Sequence, residues 1–148
     1  KMNLPEIIFL VLSVIGGLLT IMVVYGTVVK KRDLILSALF YYSFLPIIGE
    51  TMGLVSTKSP HHFLFIGLFV VQLVLASIKN APFNETDETL KQYSKRIAGS
   101  LIAINLFSAI FILVISSAYP IYLGVFHAVI TVSLGYAIIQ RLRGKMTR

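Results

Sequence analysis

Five long apolar stretches, nearly free of charge, follow one another along this chain, and lysine and arginine gather in every second connection between them. Lys30, Lys31 and Arg32 follow the first stretch. Lys79, Lys91, Lys95 and Arg96 follow the third, and Arg141, Arg143, Lys145 and Arg148 follow the last. Eleven of the 13 basic residues thus fall on one side of a membrane, against Lys1 and Lys58 on the other. Positive charge stays on the inner side of a bilayer, so the pattern predicts five crossings, N-terminus out and C-terminus in. The expected fold class is an all-α polytopic membrane protein, with a single helical domain over 1–148.

Spanning the hydrocarbon takes about 20 apolar residues. Residues 7–29, 97–119 and 121–140 meet that length outright. The uncharged runs 34–49 and 63–78 are shorter and reach it through polar flanks. Helices are expected over about 4–29, 34–54, 62–78, 97–117 and 121–141. Pro5 suits a first turn, where its missing N–H costs nothing. Asp33 is placed to cap the second helix, and Pro46 predicts a kink within it. The first stretch lacks a basic leader and a small-residue cleavage site, so a retained helix is expected. Ser116-Ser117-Ala118-Tyr119-Pro120 reads as a tight outer turn, and residues 80–96 as one long inner connection.

Only 13% of residues are charged against 57% hydrophobic, well short of the roughly 25% charge of a globular domain. The net charge of +7 therefore reads as headgroup attraction at membrane edges, not as nucleic-acid binding. The expected partners are the lipid bilayer and other membrane subunits, with no nucleic acid. The expected location is a bacterial or archaeal cell membrane, or the mitochondrial inner membrane. Zero cysteines exclude disulfides, thiolate metal sites and cysteine nucleophiles. With Trp absent, Tyr25, Tyr41, Tyr42, Tyr119, Tyr122 and Tyr136 are the candidate interfacial aromatics.

Polar side chains at membrane depth carry the functional information. Glu50 sits in Gly49-Glu50-Thr51-Met52-Gly53, a G-x-x-x-G spacing that lets another helix approach. It reads either as an ion-relay carboxylate or as a carboxylate wetted at the outer end of helix 2. Gln72, Asn105 and His127 lie inside helices 3, 4 and 5. They read either as members of the same polar path or as interhelical hydrogen-bonding groups. His61-His62 has no third ligand close in sequence, so a solvated loop pair is expected and no metal site. Asn84-Glu85-Thr86 fits a glycosylation sequon, but the charge bias puts it inside. No Ser/His/Asp arrangement or phosphate-binding glycine loop is present. No catalytic residue is assigned, no cofactor is expected to be bound by this chain, and catalysis by the chain alone is unsupported.

The segment from Leu75 to Asp87 reads Leu-Ala-Ser, then Lys79-Asn80-Ala81-Pro82-Phe83-Asn84-Glu85-Thr86-Asp87. In collinear order come Lys31-Arg32-Asp33-Leu34 before it, and Gln92-Tyr93-Ser94, Asn105-Leu106-Phe107-Ser108 and Thr131-Val132-Ser133 after it. Together these resemble five consecutive helices of one membrane-protein family of respiratory complex I, the one at the junction of its redox and ion-pumping arms. The same family occurs in membrane-bound energy-converting hydrogenases. The resemblance implies an integral membrane subunit of an energy-converting redox complex, giving scaffold and part of an ion path without catalysis of its own. It also implies a coupling or docking role for the inner-loop residues Pro82, Phe83, Asn84, Glu85, Asp87, Glu88, Gln92 and Tyr93. Ser77, Asn84 and Gln92 stand where the family carries acids, which removes proton-carrying groups from that loop. The alternative is a small transporter or homo-oligomeric membrane protein built on Glu50 and the polar residues of helices 3–5. The Ala-Pro loop, followed by two helices joined at Tyr119-Pro120, is also similar to membrane peptidases that process bacterial signalling peptides. Without cysteine, this chain would be a non-catalytic relative of them.

Overall fold

The computed structural model describes residues 3–77 and 88–147. Five helices follow in order: α1 (Leu4–Val28), α2 (Arg32–Thr57), α3 (His61–Ser77), α4 (Glu88–Ile110) and α5 (Ile121–Leu142). A five-residue π segment, Phe111–Ile115, extends α4. Four helices are long and apolar enough to cross a membrane, and His61–Ser77 is a shorter apolar helix. At 1.5 Å per residue α3 is about 25 Å long, a few ångströms short of the roughly 30 Å of hydrocarbon.

Local chemistry sets the helix ends. Asn3 and Glu6 form a reciprocal capping box at the start of α1, Asn3 Oδ1 accepting from Glu6 N at 2.9 Å and Glu6 Oε2 from Asn3 N at 3.0 Å. α1 closes on Lys30, held at φ 59°, with Lys31 N donating to Gly26 O and Lys30 N to Thr27 O. This is the left-handed closure that satisfies the last carbonyls of a helix. The same closure ends α5 at Gly144, φ 67°, with Lys145 N donating to Gln140 O. The tail then folds back, Arg32 N donating to Thr147 O at 2.9 Å and Thr147 N to Lys30 O at 2.8 Å.

That contact corrects the expected cap. The N-cap of α2 is Lys31 and makes no side-chain cap bond. Asp33 lies in the first turn, paired with Arg32 at 3.1 Å. The Thr147 carbonyl takes the free N–H of Arg32, a task otherwise left to a capping side chain. α2 continues through Pro46 to Thr57, three residues past the expected end, with Ser56 and Thr57 bonding back to the Met52 and Gly53 carbonyls. α4 starts at Glu88, nine residues before the expected 97. Residues 88–96 contain no Gly or Pro and open with a glutamate, which favours a helix N-terminus. Glu88, Gln92 and Tyr93 therefore stand on a helix and not in a loop.

The core joins Val23, Ile35, Leu39, Phe69, Leu101 and Ile130 from all five helices. On α1, Leu10, Val14, Leu18, Ile21, Tyr25 and Val28 are exposed along one stripe, whereas Gly16, Thr20, Val23, Gly26 and Thr27 are buried on the other side. The small residues face inward because the neighbouring helix comes close. A Cβ on Gly26 would lie 2.9 Å from Ile35 Cγ1 and 3.1 Å from the Ile35 backbone nitrogen. The antiparallel α4–α5 pair closes in the same way, with Leu113 against Gly124.

Backbone cannot yield as a side chain can. Gly26→Ala is expected to lower stability by about 1–3 kcal/mol, the usual cost of overpacking. Gly99→Ala, whose new Cβ meets nothing within 4 Å, should be neutral or stabilising by up to about 1 kcal/mol. Thermal unfolding in mild detergent reads both.

Candidate functional site

The helix ends nearest the N-terminus of α1 enclose a cavity of about 660 Å³ between α1, α2, α3 and α5. Its sides are largely apolar, with Phe9, Leu45, Phe65 and Phe126 among them, and Tyr42, Phe69 and His127 line it at the greatest depth. Ser13 and Tyr122 bridge α1 to α5 at 3.0 Å. An apolar cavity with a few convergent polar groups is the form a binding site takes.

Glu50 projects into this space from α2 and is only 8% exposed. The α2–α3 hairpin brings His62 against it, with His62 Nδ1 2.6 Å from Glu50 Oε2. Tyr119, from the turn before α5, donates its hydroxyl to the same oxygen at 3.0 Å. Burial pushes the Tyr119 phenol above its ordinary range, and the Glu50 charge and their hydrogen bond add to the shift. The phenol therefore keeps its proton and remains a donor. The second ring nitrogen of His62 lies 2.9 Å from Thr57 Oγ1, and Thr57 Oγ1 also bonds Gly53 O at 3.0 Å. His61 packs against His62 with ring centroids 4.0 Å apart and planes tilted by 41°, its Nδ1 2.7 Å from Ser59 Oγ.

Gly53 makes room for this arrangement. A Cβ there would lie 2.5 Å from His62 Cε1. The G-x-x-x-G spacing thus serves a side chain and not a helix crossing, and Gly49, the other glycine, faces open space.

A second polar group lies deeper. Asn105 Nδ2 donates to Gln72 Oε1 at 2.7 Å and to Leu101 O at 2.9 Å, and Asn105 Oδ1 lies 3.0 Å from His127 Nδ1. The Leu101 carbonyl only accepts, so it fixes which way the Asn105 amide points. Its oxygen then faces His127, which must donate through Nδ1. Tyr42 and Phe69 pack on the His127 ring, each centroid 5.4 Å away. Gln72 Nε2 has no hydrogen-bond partner among the described residues.

The four membrane-depth residues singled out from sequence, Glu50, Gln72, Asn105 and His127, are all buried. Gln72, Asn105 and His127 form one hydrogen-bonded run, whereas Glu50 belongs to the other group. Pro82, Phe83, Asn84, Glu85 and Asp87 lie outside the described residues. Gln92 is exposed near the start of α4, at the opposite end of the bundle from Glu50. The expectation of a solvated His61-His62 loop pair is corrected: both open α3, and His62 is buried. The third ligand that the pair lacked in sequence comes from the preceding helix, and Thr57 and Tyr119 were not singled out as its partners. No family model, curated protein or solved structure matches this chain.

Replacing Asn105 by Leu leaves Gln72 and His127 without their shared partner. Interhelical hydrogen bonds in membranes contribute about 0.6 kcal/mol on average and up to about 1.7 kcal/mol. Asn105→Leu should therefore cost about 1–3 kcal/mol in detergent unfolding, and Ser100→Ala, on the exposed side of α4, close to nothing.

Proposed function

We propose that this is an integral membrane protein that crosses the bilayer five times, N-terminus out and C-terminus in, and forms the outer half of a path for a small cation. The cavity carries this reading. It runs inward from the end of the bundle bearing the α1 N-terminus, reaches Glu50 and His62, and stops at Tyr42, Phe69 and His127. Past that level the interior is filled by Val23, Leu39, Leu101 and Ile130. A one-ended cavity with largely apolar walls, a buried carboxylate and imidazole on its side and a packed core below it fits a half-path, in which carriage to the other side requires the core to rearrange.

The orientation is supported by where the charges stand. Lys30, Lys31 and Arg32 end α1, Lys95 and Arg96 lie in the first turns of α4, and Arg141, Arg143 and Lys145 end the chain, all at the end away from the cavity. Lys58 stands at the cavity end, in the α2–α3 turn. Snorkelling flanks and local thinning of the bilayer accommodate the short α3 as a crossing.

This favours a transporter-like role over pure scaffold. Membership of a redox complex rests on the resemblance to the complex I junction family, much of which falls in residues 78–87, outside those described. As an acid facing protein and cavity at membrane depth, Glu50 fits a cation-binding group, the use such residues most often have.

The absence of cysteine makes a clean test. Gly49→Cys, in the cavity, should react with a membrane-impermeant thiol reagent added to the outer face. Ser133→Cys, buried beyond the floor, should not. Tags at Lys58 should report the outer side, and tags after Arg148 the inner side. Protection of Gly49→Cys from the outer face, or exposure of Lys58 and Lys91 on the same side, overturns the reading.

A further inference from the structure

We infer that Glu50, His61 and His62 form a binding site for a divalent first-row transition metal, with Zn2+ as the representative ion. As cargo of the proposed path the ion rests on that reading; as a ligand it rests on these three side chains alone. Each of the three offers one ligand atom, and the three atoms lie within 4.8 Å of one another. Two imidazoles and one carboxylate, with a further position left open, are a recurrent donor set for Zn2+ and its neighbours in the first transition row. The chain has no cysteine thiolate to draw the site toward softer ions.

The surroundings match what such ligands need. A ligating histidine holds its ring by donating the other N–H to an oxygen. If His62 ligates through Nδ1, its Nε2–H donates to Thr57 Oγ1 at 2.9 Å, and the Thr57 hydroxyl donates in turn to Gly53 O at 3.0 Å. His61 bonds Ser59 through Nδ1 and keeps Nε2 for an ion. Tyr119 donates to Glu50 Oε2 and helps orient the carboxylate, its ring packed edge-on against His61 with centroids 6.1 Å apart. Glu50 and His62 both line the cavity, which gives the ion a way in and room for an exchangeable water.

Binding replaces one hydrogen bond. The proton between His62 Nδ1 and Glu50 Oε2, now 2.6 Å apart, leaves to solvent. The two atoms separate to about 3.3 Å, the spacing of two tetrahedral ligands each about 2.0–2.1 Å from the metal. A shift of that size lies within side-chain rotation.

The test uses the full chain in mild detergent, stripped of metal by chelator and titrated with Co2+, whose visible absorption reports a low-coordinate N/O site. One Co2+ per chain is expected, displaced by Zn2+. His61→Ala and Glu50→Gln should each weaken binding by at least about 100-fold, and Thr57→Val by about 10–100-fold, the usual cost of losing an outer-shell partner. His61 is the first choice because it packs at the edge of the cluster, and Glu50→Gln keeps the size and the hydrogen-bonding shape. If one variant fails to fold, the other decides. No saturable Co2+ signal, or equal affinity in wild type and both variants, shows a hydrogen-bonded pair only and overturns the inference. Thiol access at Gly49→Cys is read separately, so a failed metal site and a failed path give different results.

Discussion

The Gln72–Asn105–His127 run is the interaction on which the rest of the bundle depends. Lipid offers no hydrogen-bond partner, so a polar side chain at membrane depth must find one on another helix. One residue each from α3, α4 and α5 meets here, through bonds of 2.7 and 3.0 Å. The bonds are individually weak, up to about 1.7 kcal/mol each. Their effect lies in rotation: once Asn105 faces Gln72 and His127, Leu101, Ile104 and Ser108 must also face the core. Phe65, Phe69 and Ala76 follow Gln72 inward in the same way, and Ile130 and Leu134 follow His127. The run also limits the cavity, because Tyr42 and Phe69 pack on the ring of His127.

Glu50 presents the opposite problem. A buried acid is costly unless it is paired and hydrogen-bonded, and this one is met by His62 and Tyr119 at the same oxygen. His62 can reach it because Gly53, one turn beyond Glu50, leaves its ring a place to lie. Three elements distant in sequence thus converge on one carboxylate, on the wall of a cavity. A structural hydrogen bond alone does not require a second imidazole packed against the first, nor a nitrogen of each ring tied to a hydroxyl.

The all-helical class and the order of the helices among the described residues were legible because apolar length is enough to define them. Helix ends were less so. The expected start of α4 followed the rise in hydropathy at Ile97, whereas residues 88–96 are helical by propensity and charge, which hydropathy does not measure. Asp33 looked like a cap until Thr147, from the far end of the chain, supplied the oxygen. The buried face of α1 could not be read from apolar periodicity, because nearly every residue is apolar. Gly16, Thr20 and Gly26 mark it by their small size. At the site, Glu50, Gln72, Asn105 and His127 stood out as polar residues in apolar helices. His62 did not, since its meaning depends on a hairpin that folds it back on a residue twelve positions earlier.

The most direct test of this arrangement is the position of the proton on His127. With Leu101 O fixing the Asn105 amide, the account predicts that 15N NMR of imidazole-labelled protein in lipid shows His127 carrying its proton on Nδ1. A neutral His127 with the proton on Nε2 and a bare Nδ1 would be incompatible with the bond to Asn105 Oδ1, and would contradict the packing built around it.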